Sequence, residues 1–206
     1  MKSSKVLEML HQNRIEELKQ ELQDEIFTES LKGKPNAKKR YAAMKKYLKT
    51  ISESRPILTK PCAIEFEGKL YNAFTNSYSL VLTTETCGEI EMCDEPDRYP
   101  DITRLISFNG DEGKIDFNKV LAEAKSKGYK YSKNSIYKND YLMFFKGAYF
   151  RIALIDITYG IVDDGTEVEV YGNGANRPIT IQNDIGIAMI MPVRMEDLEG
   201  CIIIEA

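Results

Sequence analysis

The chain has no tryptophan and a single histidine, His11, and its four cysteines (Cys62, Cys87, Cys93 and Cys201) form no Cys-x-x-Cys pair. One histidine excludes most histidine-built metal sites and any Ser–His or Cys–His nucleophile not centred on that residue. Scattered cysteines in an intracellular protein are expected to stay as thiols. Missing too are an apolar run near the ~20 residues that a membrane span needs, a Walker loop, a Gly-x-Ser-x-Gly elbow and a His-Glu-x-x-His pair. The opening stretch, MKSSKVLEMLHQNRIEELKQ, is charged throughout and lacks the apolar segment of a secretion signal. Together these absences predict a soluble, cytoplasmic, non-catalytic protein with no cofactor and no membrane contact.

What is present is a globular balance, 43% apolar against 29% charged over 206 residues, enough for one domain with an appendage. The net charge of −4 hides a strong asymmetry. Between Lys32 and Lys60, ten basic residues face one acid, Glu53; between Glu85 and Asp101, seven acids face one base, Arg98. So dipolar a chain has a positive side suited to phosphate or an acidic protein, unless both runs are simply solvated.

Periodicity divides the chain into helices and strands. Leu7, Leu10, Ile15, Leu18, Leu22 and Ile26 recur at helical spacing and predict one amphipathic helix over residues 1–30. Gly33 to Asn36 stops it, and Tyr41, Met44, Leu48 and Ile51 mark a second helix from Ala37 to Thr50. Alternation from Cys62 to Glu85 predicts three antiparallel strands, turning at Glu67-Gly68-Lys69 and near Asn76-Ser77. A helix is expected over Asp116 to Lys127 and a strand over Tyr141 to Phe145, while Tyr149 to Ile161 suits either a strand or a buried helix. Three more strands run through TEVEVYG, RPITIQND and GIAMIMPVRM. The division is a helix and linker over 1–34, a compact domain over 35–195 and a tail over 196–206, and the class is α+β with antiparallel sheet.

Three stretches narrow this class. SESRPILTKPCAIEFEGKLYNAFTNSYSLVL (Ser52 to Leu82) resembles the middle domain of the bacterial DNA polymerase III beta subunit, the sliding clamp. Tyr99 to Ile106, YPDITRLI, is similar to the segment that closes that domain, and Arg177 to Met195, RPITIQNDIGIAMIMPVRM, is similar to the clamp's last two strands. They occur in the family's order and cover roughly a third of the chain. The resemblance implies a DNA-clamp-like fold of repeated helix-plus-strand units, with the N-terminal helix and the tail as additions.

The resemblance also implies a site, since in the clamp these segments surround a hydrophobic pocket that accepts a short Gln-x-x-Leu-Phe type peptide. Carried over, that pocket comprises Leu58, Thr75, Ser77, Tyr78, Ser79, Leu80, Pro100, Arg104, Leu105, Met189 and Met191. The implied partners are a DNA polymerase or other proteins with clamp-binding motifs, recruited or competed for in replication or repair, in a setting that includes a phage or mobile element. The pattern departs at the turn, where the family's Asp-Gly is Asn76-Ser77 and its Arg is Ser79. Clamps line their hole with basic helices; Lys38, Lys39, Arg40, Lys45, Lys46 and Lys49, with Lys119 and Lys125, suit weak, salt-sensitive DNA contact. The chain is too short to encircle DNA alone, so a ring would need several copies. Gln23-Asp24-Glu25-Ile26-Phe27 loosely fits the peptide itself, although plain helix packing explains it as well.

A reading from another class rests on Asp101, Glu112 and Lys114, which spell the PD-(D/E)xK pattern of Mg²⁺-dependent nucleases. That chemistry needs the Glu and Lys on a rigid strand, and NGDEGK reads as a turn.

Overall fold

A computed structural model describes residues 3–11, 14–30, 32–52, 54–85, 88, 90–108, 110–172, 174, 176–194 and 198–206. The long N-terminal period is split between two helices, α1 (Ser3–His11) and α2 (Ile15–Ser30). At the break the Arg14 N–H returns to the Met9 carbonyl (2.9 Å), and its own carbonyl starts α2 by accepting from Leu18. Helix α3 (Ala37–Leu48) follows, then β1 (Cys62–Phe66), β2 (Lys69–Thr75) and β3 (Ser79–Thr83). At the β1–β2 turn Glu67 and Gly68 both have positive φ, the two-residue geometry whose twist matches the strands it joins.

A connector from residue 84 to 110 contains two 3₁₀ turns, Pro96–Arg98 and Thr103–Leu105. It leads to β4 (Asp111–Gly113) and α4 (Phe117–Ser126), whose Asp116 cap accepts from the Lys119 N–H at 3.0 Å. The stretch from β5 (Tyr141–Phe145) onward resolves the ambiguous segment in favour of both readings. Tyr149 lies in β6 (Ala148–Arg151), and α5 (Ile152–Val162) starts at the next residue. Nine of the eleven residues of α5 are buried, which is why its sequence shows no polar face. The last strands are β7 (Glu169–Gly172), β8 (Ile179–Asn183), β9 (Gly186–Ile190) and β10 (Ile202–Glu205).

Seven strands form one antiparallel sheet in the order β1-β2-β3-β9-β8-β7-β4. Its two faces are set by simple alternation. Phe74, Val81, Ala188, Ile181 and Val170 lie abreast across five strands and meet α5, with α3 and α4 packed outside it, in the main core. Thr75, Leu80, Met189 and Thr180 form the neighbouring row, so their side chains face the other way, toward the connector. Helices α3 and α5 approach closely because Gly160 carries no side chain; a Cβ there would lie 3.1 Å from that of Ala43.

The sequence sets residues 196–206 apart as a tail, yet β10 pairs in parallel with β5, in a second sheet of order β10-β5-β6, and Ile204 is fully buried. NGDEGK, expected as a turn, places Asp111 to Gly113 in an edge strand paired with β7. Met195, expected to end a strand, lies outside the described residues. Among those described, no helix is long and apolar enough to cross a membrane.

Candidate functional site

The corner between β2 and β3 and the end of β9 lie side by side. Leu80 opposes Met189, Ser79 opposes Ile190, and the Met191 N–H donates to the Tyr78 carbonyl at 2.9 Å. Leu58, on the 3₁₀ turn Pro56–Thr59, packs in the same cluster as Leu80 and Met189, with Tyr99 and Ile102 from the connector. Three stretches far apart in sequence therefore converge on one face of the sheet.

The corner is fastened from inside. Asn76 Oδ1 accepts from the N–H groups of Ser79 (3.0 Å) and Tyr78 (3.1 Å) and from the Ser79 hydroxyl (3.2 Å), while its Nδ2 donates to Thr50 Oγ1 at 3.0 Å. The Tyr47 hydroxyl, on α3, donates to the Ser79 carbonyl at 2.7 Å, and Thr75 Oγ1 reaches the same oxygen at 3.1 Å. Burial holds the Tyr47 phenol well above its ordinary range, so it remains a donor at any physiological pH. Ser77 sits at φ 74°, turned out to solvent, where Arg55 donates to its hydroxyl.

Beside this corner opens a cavity of about 180 Å³, lined by Ile51, Ser52, Ser54, Arg55, Leu58, Asn76, Ser77, Tyr78 and Tyr137. Tyr78 and Tyr137 stack edge to face with centroids 5.7 Å apart, the Arg151 guanidinium lies 5.5 Å from the Tyr78 ring, and the Tyr137 hydroxyl is tied to the Thr50 carbonyl at 2.9 Å. Among the described residues Arg55 pairs with no carboxylate; its guanidinium donates to Ser77 at the mouth.

The eleven residues named from sequence fall into three groups. Leu58, Ser77 and Tyr78 line the open cavity. Thr75, Ser79, Leu80 and Met189 are buried beneath the corner or the connector, Leu80 at 1% and Met189 at 4% exposure. Pro100, Arg104, Leu105 and Met191 stand at the surface, with Leu105 57% and Met191 41% exposed. Arg104 is held by Asp101 at 2.7 Å. The connector is what separates the groups. Tyr99 and Ile102 are nearly fully buried on the sheet, the Tyr99 hydroxyl donates to the Ala73 carbonyl at 3.1 Å, and Thr180 Oγ1 donates to the Ser107 carbonyl at 2.8 Å. Sequence reasoning missed Tyr137, whose segment carries no motif, and Arg55, which was present in the quoted SESRPIL.

The basic residues divide as well. Lys38, Lys39, Lys45, Lys46 and Lys49 of α3 and the residue after it, and Lys119 and Lys125 of α4, are exposed. Lys39 and Lys125 line one groove of about 150 Å³ between α3, α4 and α5, and Lys39 also bonds Asp163 at 2.9 Å. Lys45 and Lys46 lie over the rings of Tyr41 (4.4 Å) and Tyr131 (5.2 Å). Arg40 does not belong to this set. It is 2% exposed, pairs with Glu85 at 3.2 Å and donates to the Pro35 carbonyl, because it falls on the stripe of Met44 and Tyr47 that faces the core. The two charged runs also meet, through Lys34 and Arg40 with Glu85 and through Lys60 with Glu91 and Asp94.

The nuclease pattern finds no shared centre. Asp101 is engaged by Thr103 (2.5 Å) and Arg104, Lys114 by Glu167 (2.7 Å), and Glu112 lies on the edge strand β4. Among the described residues no three histidines, cysteines or carboxylates gather as a metal site. The Gln23 to Phe27 motif lies in α2, with the side chains of Gln23, Asp24 and Phe27 outside those described.

No protein-family model and no curated protein matches the chain. Among solved structures it is similar to the DNA polymerase sliding clamp of Bacillus subtilis, with a TM-score of 0.51 and 14% identity over 79% of this chain and 63% of the clamp. It also aligns with the sliding clamp of Pseudomonas aeruginosa solved with a ligand, at TM-score 0.46 and 13% identity, over 79% of this chain and 65% of that one. The fold is α+β and clamp-like, and the chain spans less than two thirds of the clamp's length.

Proposed function

We propose that this chain is a non-catalytic, clamp-like module that binds a short apolar peptide segment of partner proteins at the corner between β2 and β3. DNA polymerase subunits and other proteins with clamp-binding motifs are the partner class. One observation carries the reading: an open cavity with an apolar floor at Leu58 and aromatic walls at Tyr78 and Tyr137 adjoins the end of β9, where the exposed Met191 follows the strand and bonds the Tyr78 carbonyl. At about 180 Å³ the cavity is smaller than the ~300–1,000 Å³ of a typical small-molecule site. It suits one side chain of a peptide. A second anchor would need the connector to rise from Leu80 and Met189.

The expected affinity follows. One buried apolar anchor contributes about 1.5–3 kcal/mol, and association costs at least ~4 kcal/mol. Backbone hydrogen bonds must supply the rest, which places binding to the closed form at about 0.1–1 mM. A fluorescent Gln-Leu-Ser-Leu-Phe peptide is the test. Binding should weaken at least about tenfold in Tyr137→Ser, and saturation absent up to millimolar protein, or indifferent to both Tyr137→Ser and Leu58→Asp, ends the proposal.

DNA contact through Lys39, Lys45, Lys46, Lys119 and Lys125 would be weak and steeply salt-dependent, because few phosphates could be neutralised at once. Self-association is compatible with the exposed Ile15, Leu22 and Ile26 of α2, which lie along one helical face. Sedimentation equilibrium across a hundredfold concentration range decides between one copy and several.

A further inference from the structure

Cys62 and Cys93 are thirty-one positions apart in sequence and abreast in space. Cys62 opens β1, the outermost strand of the large sheet, and is 1% exposed. The Cys93 N–H donates to the carbonyl of Pro61 at 2.8 Å, so the connector meets the chain at the beginning of β1, with residue 93 beside residues 61 and 62. The hydrogen bond at the adjoining residue and the shared packing bring the two cysteines together, and a disulfide spans ~4.4–6.8 Å between Cα atoms. Both side chains pack in the cluster of Leu58, Leu80 and Tyr99; the Cys62 thiol donates to the Ala63 carbonyl at 3.6 Å and lies close enough to Cys93 for the two to interact electrostatically.

We infer that Cys62 and Cys93 are an oxidation site, and that their disulfide latches the connector over the buried half of the peptide slot. The two thiols differ in a way that suits a two-step closure. Cys93 is partly exposed and meets the oxidant first. Burial, with Cys93 close by, pushes the Cys62 thiol up to about 11, so Cys62 stays protonated and does not react on its own. A peroxide is the oxidant class. Its attack by Cys93 sulfur breaks the O–O bond and gives a sulfenic acid and one water. Cys62 sulfur then displaces the sulfenic oxygen, which leaves as a second water with the Cys62 proton. One S–S bond is formed, two thiols are oxidised, and the peroxide is reduced by two electrons. A dithiol reductant reverses the step by exchange.

The position gives the bond its consequence. In the reduced protein the connector is held by Tyr99 and Ile102 on the sheet, by the Ser107–Thr180 hydrogen bond and, around residue 93, by the Cys93–Pro61 backbone hydrogen bond and surface pairs of Lys60 with Glu91 and Asp94. Such exposed pairs contribute little. A covalent tie at Cys93, six residues before Tyr99, removes most of the motions that would uncover Leu80 and Met189. This effect on peptide entry rests on the slot assignment above, whereas the disulfide itself does not.

The full chain is treated with excess hydrogen peroxide, blocked with N-ethylmaleimide, digested without reduction and mapped by mass spectrometry. The expected product is a monomer lighter by two hydrogens, with the Cys62 and Cys93 peptides joined; dithiothreitol reverses it and Cys93→Ser abolishes it. Amide exchange across residues 94–108 should slow about tenfold on oxidation. Sulfinic acid at Cys93 without a cross-link, a bond to Cys87 or Cys201, or a link between two molecules overturns the oxidation site. A Cys62–Cys93 link that leaves exchange across 94–108 unchanged overturns the latch. Peptide binding that weakens on oxidation and returns on reduction supports the coupling. Absence of peptide binding in both forms counts against the slot, while mapping and exchange still decide the latch.

Discussion

Replacing Asn76 by alanine should unfasten the corner on which the site is built. The side chain makes four hydrogen bonds within a residue that is 7% exposed, three accepted at Oδ1 and one donated to Thr50. Alanine leaves the Ser79 N–H without its acceptor in a buried position and the Tyr78 N–H without it in a half-buried one. A buried donor left unpaired costs about 1–3 kcal/mol, so the two N–H groups and the lost tie to α3 together predict about 2–4 kcal/mol. That is a large share of the ~5–15 kcal/mol by which a domain is stable. It corresponds to a fall in melting temperature of about 5–15 °C for a chain of this size. Asn76→Asp keeps the acceptors but buries a charge and sets an oxygen against Thr50 Oγ1, whose hydroxyl already donates to the Tyr47 carbonyl. It should therefore restore stability over alanine only as the pH is lowered and the carboxyl is protonated. Urea denaturation of the three proteins with unchanged slope is the assay. A loss below about 0.5 kcal/mol in Asn76→Ala would refute the claim that this side chain holds the corner.

Two other predictions concern charge. Arg40→Ala should destabilise by about 3 kcal/mol, because it leaves the largely buried Glu85 with only the long pair to exposed Lys34 at 3.7 Å, with DNA retention at low salt unchanged; Lys45→Ala with Lys46→Ala should leave the melting temperature within a few degrees and reduce any salt slope of DNA binding by about one per lysine. Cys62 is an acid whose folded pKa, at about 11, lies above the ordinary thiol value of ~8.5, so the unfolded chain releases its proton first and stability falls as pH rises from about 9 to about 11. The buried phenols of Tyr47 and Tyr99, also raised by burial, extend the same loss to higher pH. Cys62→Ala should flatten the first part of the alkaline limb in denaturation curves taken from pH 8 to 11, and an unchanged limb contradicts the buried thiol.

Much of the sheet was legible because alternation and turn chemistry are local. Glu67-Gly68 announced a hairpin, and the alternating residues of β2, β3 and β9 carried both faces of the large sheet. Arg40 was legible in principle, since it lies four residues before Met44 and seven before Tyr47 on the face that packs inward. Its partner Glu85 is forty-five positions away, and no local rule joins them. The change from β6 to α5 falls between Arg151 and Ile152 with no glycine or proline to mark it, and the apolar, β-branched run that follows is helical because tertiary burial overrides its strand preference. The slot was read in part for a similar reason. Leu80 and Met189, named together from the resemblance, do lie opposite each other on the sheet, but only the folded connector determines that Tyr99 and Ile102 lie on top of them.

Strand β3 is a partition with a different room on each side. Val81 belongs to the main interior and Leu80, one position earlier, to the chamber under the connector. An arriving ligand therefore gains no space by bowing this wall, since every displacement of Leu80 would drive Val81 into α5 and its surroundings. The yielding part has to be the roof, which gives the segment from Cys93 to Phe108 control over how much of the chamber is ever available.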